Sequence, residues 1–142
     1  MQDYRALAEF RYCLRRFLRF SEEAITRAGI QPQQYLLMLA IKGLPPGMSP
    51  NIRTLAERTQ VEHHSMVELV NRAVARNLVV RTPDSRDRRS VLVALSPEGE
   101  KLLKNLARQH RDKLREGAPG LARALAAIRK SGVSGGGRSS RK

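Results

Sequence analysis

The chain has 142 residues, about one domain's worth, and carries 27 Lys and Arg against 13 Asp and Glu, a formal net charge of +14. That balance points to a polyanionic partner, nucleic acid first. With 4% aromatic residues and no tryptophan, an aromatic platform for single-stranded nucleic acid is poorly supported. Cys13 is the one cysteine, which excludes an internal disulfide framework or a cysteine zinc cluster, and no apolar run approaches the ~20 residues of a membrane span, so a cytoplasmic protein is expected.

In chain order, Leu7, Phe10, Leu14, Phe17, Ser21, Ala24 and Ala28 recur at spacings of three and four and predict one long helix over residues 3–28. Gly29 is its expected C-cap. So long a terminal helix has little of its own fold to cover it and is expected to pack against a second chain. Pro32 opens a short apolar helix over 32–42, and Gly43-Leu44-Pro45-Pro46-Gly47 reads as a loop.

Asn51 suits the cap of a helix over 52–59. Gln60-Val61-Glu62 reads as a tight turn, and a second helix follows from His63 to about Asn77. Met66, Val67, Leu69, Val70, Ala73 and Val74 form its expected apolar side. Two short helices joined by about three residues make a helix-turn-helix.

The period then changes from helical to alternating. Residues 78–82 and 90–95 predict two strands around a polar projecting loop, Pro83-Asp84-Ser85-Arg86-Asp87-Arg88-Arg89. Two strands cannot make an independent sheet, so they are an accessory to a helical domain. The fold class is mainly α: a winged helix-turn-helix with a two-stranded β wing and terminal helices.

Ser96-Pro97-Glu98 starts the next helix, with a capping serine, Pro at the first position and an acid in the first turn. Leu102, Leu103, Leu106, His110 and Leu114 mark one face to about Glu116. Gly117-Ala118-Pro119-Gly120 is expected to break the helix, and Leu121, Ala124, Leu125 and Ile128 to form a last short one. The expected organisation is an N-terminal dimerisation helix (1–30), the winged domain (31–95), C-terminal dimerisation helices (96–130) and a disordered basic tail (131–142).

Two constellations point to duplex DNA. A helix fits the major groove with its N-terminal residues at base edges. Here those residues are His63, His64, Ser65 and Glu68, with Arg72 a turn further on. In the loop, Arg86, Arg88 and Arg89 suit a narrow minor groove, where negative potential is concentrated. Asp87 is expected to hold Arg89 through a charge-assisted bond.

The stretch Asn77-Leu78-Val79-Val80-Arg81, then Asp84, then Asp87-Arg88-Arg89-Ser90-Val91-Leu92-Val93-Ala94-Leu95-Ser96-Pro97-Glu98-Gly99 resembles the MarR family of bacterial winged-helix repressors. The helix order over residues 3–129 also fits. The resemblance implies a homodimer held by the terminal helices, two winged domains on a palindromic operator, and release from DNA when a small, often aromatic effector binds. It matches Asp87 and Arg89 to the family's wing pair and Ser65 to the small hydroxyl residue of the recognition helix. It places an effector pocket near Phe10, Cys13, Leu14, Phe17 and Met38.

The sequence departs from the family pattern at Gln60, where a turn glycine is usual, at Glu62 in place of a capping Ser or Thr, at Asn77 in place of a helix-ending glycine, and at Glu68, where basic residues are common. One branch of the family senses organic hydroperoxides through a lone cysteine in this first helix. Cys13 and Tyr35, within Pro32-Gln33-Gln34-Tyr35, match that branch, while Phe17 replaces one of its tyrosines.

His63 and His64, adjacent and so about 100° apart on a helix, cannot easily share a metal. No metal or cofactor is expected. No nucleophile–base–acid set, phosphate loop or paired-acid site is present, so the chain reads as non-enzymatic. The expected function is a dimeric, sequence-specific transcriptional regulator, a repressor relieved by an effector. The rivals are a charge-driven architectural DNA-binding protein and a Cys13 peroxide sensor.

Overall fold

The computed structural model describes residues 2–134, with side chains over 3–130. Its elements are α1 (Gln2–Arg27), α2 (Pro32–Lys42), α3 (Ile52–Thr59), α4 (His63–Ala75), β1 (Val79–Pro83), β2 (Val91–Leu95) and α5 (Pro97–Ser134). The chain divides into two compact units. One joins α1 up to Glu23 with α5 from Gln109 onward, and the other is Ala24–Arg108.

The winged unit is built on the helix-turn-helix. The Asn51 carboxamide oxygen accepts from the Thr54 N–H at 2.8 Å and starts α3. Gln60 ends α3 in the left-handed region at φ 55°, and its side-chain amide donates to the Glu57 carbonyl at 2.8 Å. Asn77, at φ 57°, turns the chain from α4 into β1. Both residues occupy a conformation that glycine adopts without penalty.

The strands pair antiparallel in the register Val79↔Leu95, Arg81↔Val93 and Pro83↔Val91. An isolated bridge, Asn51↔Leu92, and the Val93 N–H to Pro50 carbonyl bond at 2.9 Å fasten β2 to the segment before α3. The core of this unit is Ile25, Leu37, Met38, Leu55, Met66, Val70, Val79, Val93 and Leu106, all at most 1% exposed. Ala24 and Ile25 belong to it, so the end of α1 serves the winged unit.

A buried polar junction ties the end of α4 to the start of α5. The Ser96 hydroxyl donates to the Asn77 carbonyl at 2.6 Å and accepts from the Gly99 N–H at 2.9 Å, and the Ser96 N–H donates to the Leu78 carbonyl at 3.0 Å. A Cβ on Gly99 would overlap the Leu78 carbonyl oxygen, so only glycine fits.

The expected break at Gly117–Gly120 does not occur: α5 is one helix with Pro119 inside it. A proline in a helix interior costs about 3 kcal/mol through a lost hydrogen bond and a clash. Here the same apolar spacing continues beyond it, with Leu121 half-buried and Ala124 5% exposed. Gly120 has a packing role rather than a breaking one, since a Cβ there would sit 3.3 Å from Cys13 Sγ. Residues 131–134 continue α5, which corrects the start of the expected disordered tail. The remainder of that tail lies outside the described residues.

In the helical unit, Ser21 and His110 share a hydrogen bond of 2.7 Å, with the His110 ring edge-on to Phe17 and Phe20 at centroid distances of 5.9 Å each. Leu7, expected on the covered stripe of α1, is 51% exposed, as is Leu125 on α5 at 52%. Within this unit the inner position near the start of α1 is taken by Ala6.

Candidate nucleic-acid interface

Helix α4 buries Met66, Leu69, Val70 and Ala73. That stripe fixes which side chains turn outward, because each residue advances about 100° around the axis. His63, His64, Glu68 and Arg72 are exposed and Ser65 is half-buried. The five residues expected at the reading end of this helix are therefore presented at its surface or edge. Glu62 makes no capping hydrogen bond; its carboxylate lies 3.5 Å from His64 Nδ1.

Val67 corrects the sequence reading. It was expected on the apolar side but is 41% exposed, on the same outward face as Asn71. Four other residues fill the core side, and the outward arc then takes Val67 and Asn71. A helical wheel centred on Met66, Leu69, Val70 and Ala73 would have found both. Treating every apolar residue as inward hid them.

The wing tip is ordered by its aspartates. The Asp84 carboxylate accepts the Arg86 N–H at 2.9 Å, and the Asp87 carboxylate accepts the Arg89 N–H at 2.9 Å. The loop is closed by the Asp84 N–H to the Ser90 carbonyl at 3.3 Å and the Ser90 N–H to the Asp87 carbonyl at 3.0 Å. The expected Asp87–Arg89 bond thus exists, but it is made to the backbone amide. Among the described residues no ion pair joins Asp87 to the Arg89 guanidinium. An amide two residues on is within easy reach of a short carboxylate, which makes this a local turn. Arg81, Arg86, Arg88 and Arg89 are exposed.

Two of the residues expected around an effector share a cleft within one unit. In the helical unit, Cys13 and Phe17 line a cleft of about 80 Å³ with Arg16, Lys113, Leu114 and Leu121. Phe10 and Leu14 are half-buried on the same helix and do not line it. Met38 is fully buried in the core of the winged unit, as is Tyr35 at 4% exposure. Burial pushes the Tyr35 phenol above its ordinary value. Cys13 and Tyr35 belong to different compact units.

A separate groove in the winged unit, about 600 Å³, has an apolar floor of Leu39, Leu103 and Ala107 and a rim of Lys42, Lys101 and Lys104. Lys42 is paired with Glu100 at 3.1 Å. Among the described residues no group of three or more His, Cys, Asp and Glu could hold a metal, and no helix is long and apolar enough to cross a membrane.

A helix-turn-helix whose second helix turns a polar face outward, followed at once by a basic two-stranded loop, is a winged helix-turn-helix, the DNA-binding class used by transcriptional regulators. Residues 28–90 match the sequence model of the MarR family, and over them the chain is similar to that family.

The chain is 27% identical over 78 residues to the HTH-type transcriptional repressor MdtR of Bacillus subtilis, a match covering 55% of this chain and about half (48%) of that repressor. Among solved structures, a mutant of MarR from E. coli complexed with operator DNA has a TM-score of 0.67 at 20% identity, covering 84% of this chain and 85% of that one. CouR from Rhodococcus jostii, bound to p-coumaroyl-CoA, has a TM-score of 0.64 at 23% identity, covering 89% and 87%. At these identities the structures establish the fold, and these relatives are regulators, not enzymes.

Proposed function

We propose that this protein is a dimeric, sequence-specific transcriptional regulator that binds double-stranded DNA at a palindromic operator. On this reading α4 lies in the major groove, with His63, His64, Ser65, Glu68 and Arg72 facing it. The wing tip of Arg86, Asp87, Arg88 and Arg89 enters the minor groove, led by Arg89. The observation that carries the reading is the outward polar face of α4 in the same compact unit as an arginine loop pre-ordered by Asp84 and Asp87. A solved relative of the same fold, MarR of E. coli, was captured on operator DNA, which favours this partner.

The dimer rests on apolar surface left open in the helical unit. Tyr4, Leu7, Tyr12, Leu18, Leu114 and Leu125 are all more than 40% exposed there. A second copy covering them would remove the largest apolar exposure that this unit carries. Repression relieved by a small effector completes the proposal. The Cys13 cleft is too small for an aromatic acid, since ligand pockets run from about 300 Å³ upward. The lysine-rimmed groove of the winged unit is large enough and suits an amphipathic anion.

A second reading concerns Cys13 alone. A cleft of about 80 Å³ beside its thiol admits a small solute of hydroperoxide size. A sensor would leave DNA on hydroperoxide treatment while a Cys13→Ser protein stays. If the two behave alike, Cys13 is a packing residue against Gly120.

The test of the main reading is selection of bound sequences from a random duplex pool at about 150 mM salt, where charge-only contacts are weakened. A palindrome with half-sites about one helical turn apart is expected. Absence of any enriched motif, with binding lost as salt rises, would establish the architectural, charge-driven alternative.

A further inference from the structure

We propose that Val67 and Asn71 form the base-specific reading edge of α4 and select A·T pairs, with the Val67 methyl groups against the C5-methyl of thymine and the Asn71 carboxamide on N6 and N7 of adenine. This rests on the regulator reading and adds which chemistry of the duplex is read.

Neither residue belongs to the buried core of α4. The core side of α4 is complete with Met66, Leu69, Val70 and Ala73, while Val67 is 41% exposed and Asn71 is exposed. The Asn71 carboxamide makes no hydrogen bond within the chain among the described residues, so both its donor and its acceptor are available. Both residue types are also poor choices for an exposed helical position. The branched Val67 side chain loses rotamer freedom there, and Asn71 competes for backbone hydrogen bonds. A lone exposed valine is ordinary. A valine and an unengaged asparagine four positions apart are neighbours on one helix edge, about 6 Å apart along the axis, and can meet the same or adjacent base pairs.

The chemistry of the two converges. In the major groove adenine alone offers an acceptor beside a donor, N7 and N6, which a carboxamide matches bidentately, and thymine alone offers a methyl group. Guanine presents two acceptors there. Glu68, exposed beside these residues, also presents only acceptors and disfavours guanine at that edge. The usual guanine readers are Arg and Lys, and α4 carries none before Arg72.

The experiment uses the duplex recovered by sequence selection with the full chain. Each thymine of a half-site is replaced in turn by deoxyuridine, which removes only the methyl group. Each adenine is replaced by 7-deazaadenine, which removes only the N7 acceptor. One thymine per half-site is expected to lose about 4-fold in affinity on demethylation, the equivalent of one buried methyl group at about 0.8 kcal/mol. Val67→Ala should bind the methylated and demethylated duplexes equally. Asn71→Ala should be indifferent to the 7-deaza change that costs the wild-type chain 5-fold or more.

Both variants sit at exposed positions and take a better helix former, so they should fold, as circular dichroism will check. A selected motif whose deoxyuridine and 7-deazaadenine forms all bind like the parent would overturn the proposal, as would unchanged sensitivity in the two variants. A pool yielding no motif overturns the regulator reading itself, and this proposal with it.

Discussion

Ser21 Oγ and His110 Nε2 lie 2.7 Å apart although 89 positions separate them. The bond joins α1 to α5 within the helical unit, and His110 is only 4% exposed. Ser21→Ala takes away this partner of a buried ring and should cost about 1–3 kcal/mol. Urea unfolding will measure it. A midpoint equal to that of the wild-type chain would mean that water replaces the serine at no cost.

Two glycines should respond in opposite directions. A methyl group at Gly99 meets the Leu78 carbonyl oxygen head-on, so Gly99→Ala must displace backbone at the junction of β1 and α5 and should lose about 3 kcal/mol. Nothing lies within 4 Å of a Cβ at Gly117, which is exposed on α5. Gly117→Ala should gain about 1 kcal/mol, the helix preference for alanine over glycine. Thermal melts of the two proteins will show whether the signs hold.

Gln60 holds φ 55° without being glycine. The left-handed conformation costs a residue with a Cβ roughly 1 kcal/mol. Gln60→Gly should therefore raise the melting temperature, provided that the lost bond from its side chain to the Glu57 carbonyl is worth less than that. A lower melting temperature would show that the side-chain bond outweighs the strain, and either sign can be read from one melt.

Burial raises the Tyr35 phenol above 10.0. The unfolded chain gives up this proton first as pH rises. The contribution of Tyr35 to stability is then held below about pH 10 and falls as pH climbs through that value toward the folded one. Tyr35→Phe cannot ionise and should lose less stability than the wild-type chain between pH 9 and about pH 11. Parallel alkaline unfolding curves would contradict the assignment.

For the wing, Arg89→Ala should lower operator affinity and weaken the preference for A·T-rich flanks, because groove width is what an inserted arginine senses. Binding titrations on flanks of differing A·T content will test this. Wild-type behaviour of the variant would remove Arg89 from the interface.

The helix-turn-helix could be read from residues 51–77 because local signals agreed there. Asn51 caps, Asn77 tolerates the left-handed turn, and the apolar spacing is helical between them, although Gln60 takes its left-handed turn against its own preference. The break expected at Gly117–Gly120 failed for the opposite reason. Local chemistry opposed the helix, yet the apolar spacing carries on beyond Pro119 and Gly120 faces Cys13, which no nearest-neighbour rule contains. The Asp87–Arg89 bond was legible as a pair of residues, but spacing names the partner residue and not the atom, here the Arg89 amide. Val67 was lost because an apolar residue looks inward until the rest of the face is filled. The effector residues rested on family resemblance, which locates a region, whereas a cavity depends on side chains from several helices.

The two aspartates of the wing have an electrostatic consequence. Between residues 84 and 90 they offset all but one of the charges on Arg86, Arg88 and Arg89. A loop built for attraction alone would carry lysines at those positions and would release more counterions on binding. This loop gives up that attraction for a backbone set before contact, so less of its conformational entropy remains to be lost on the duplex. Replacing Asp84 and Asp87 with lysine should then tighten binding to every sequence and steepen its salt dependence, while narrowing the difference between operator and random DNA.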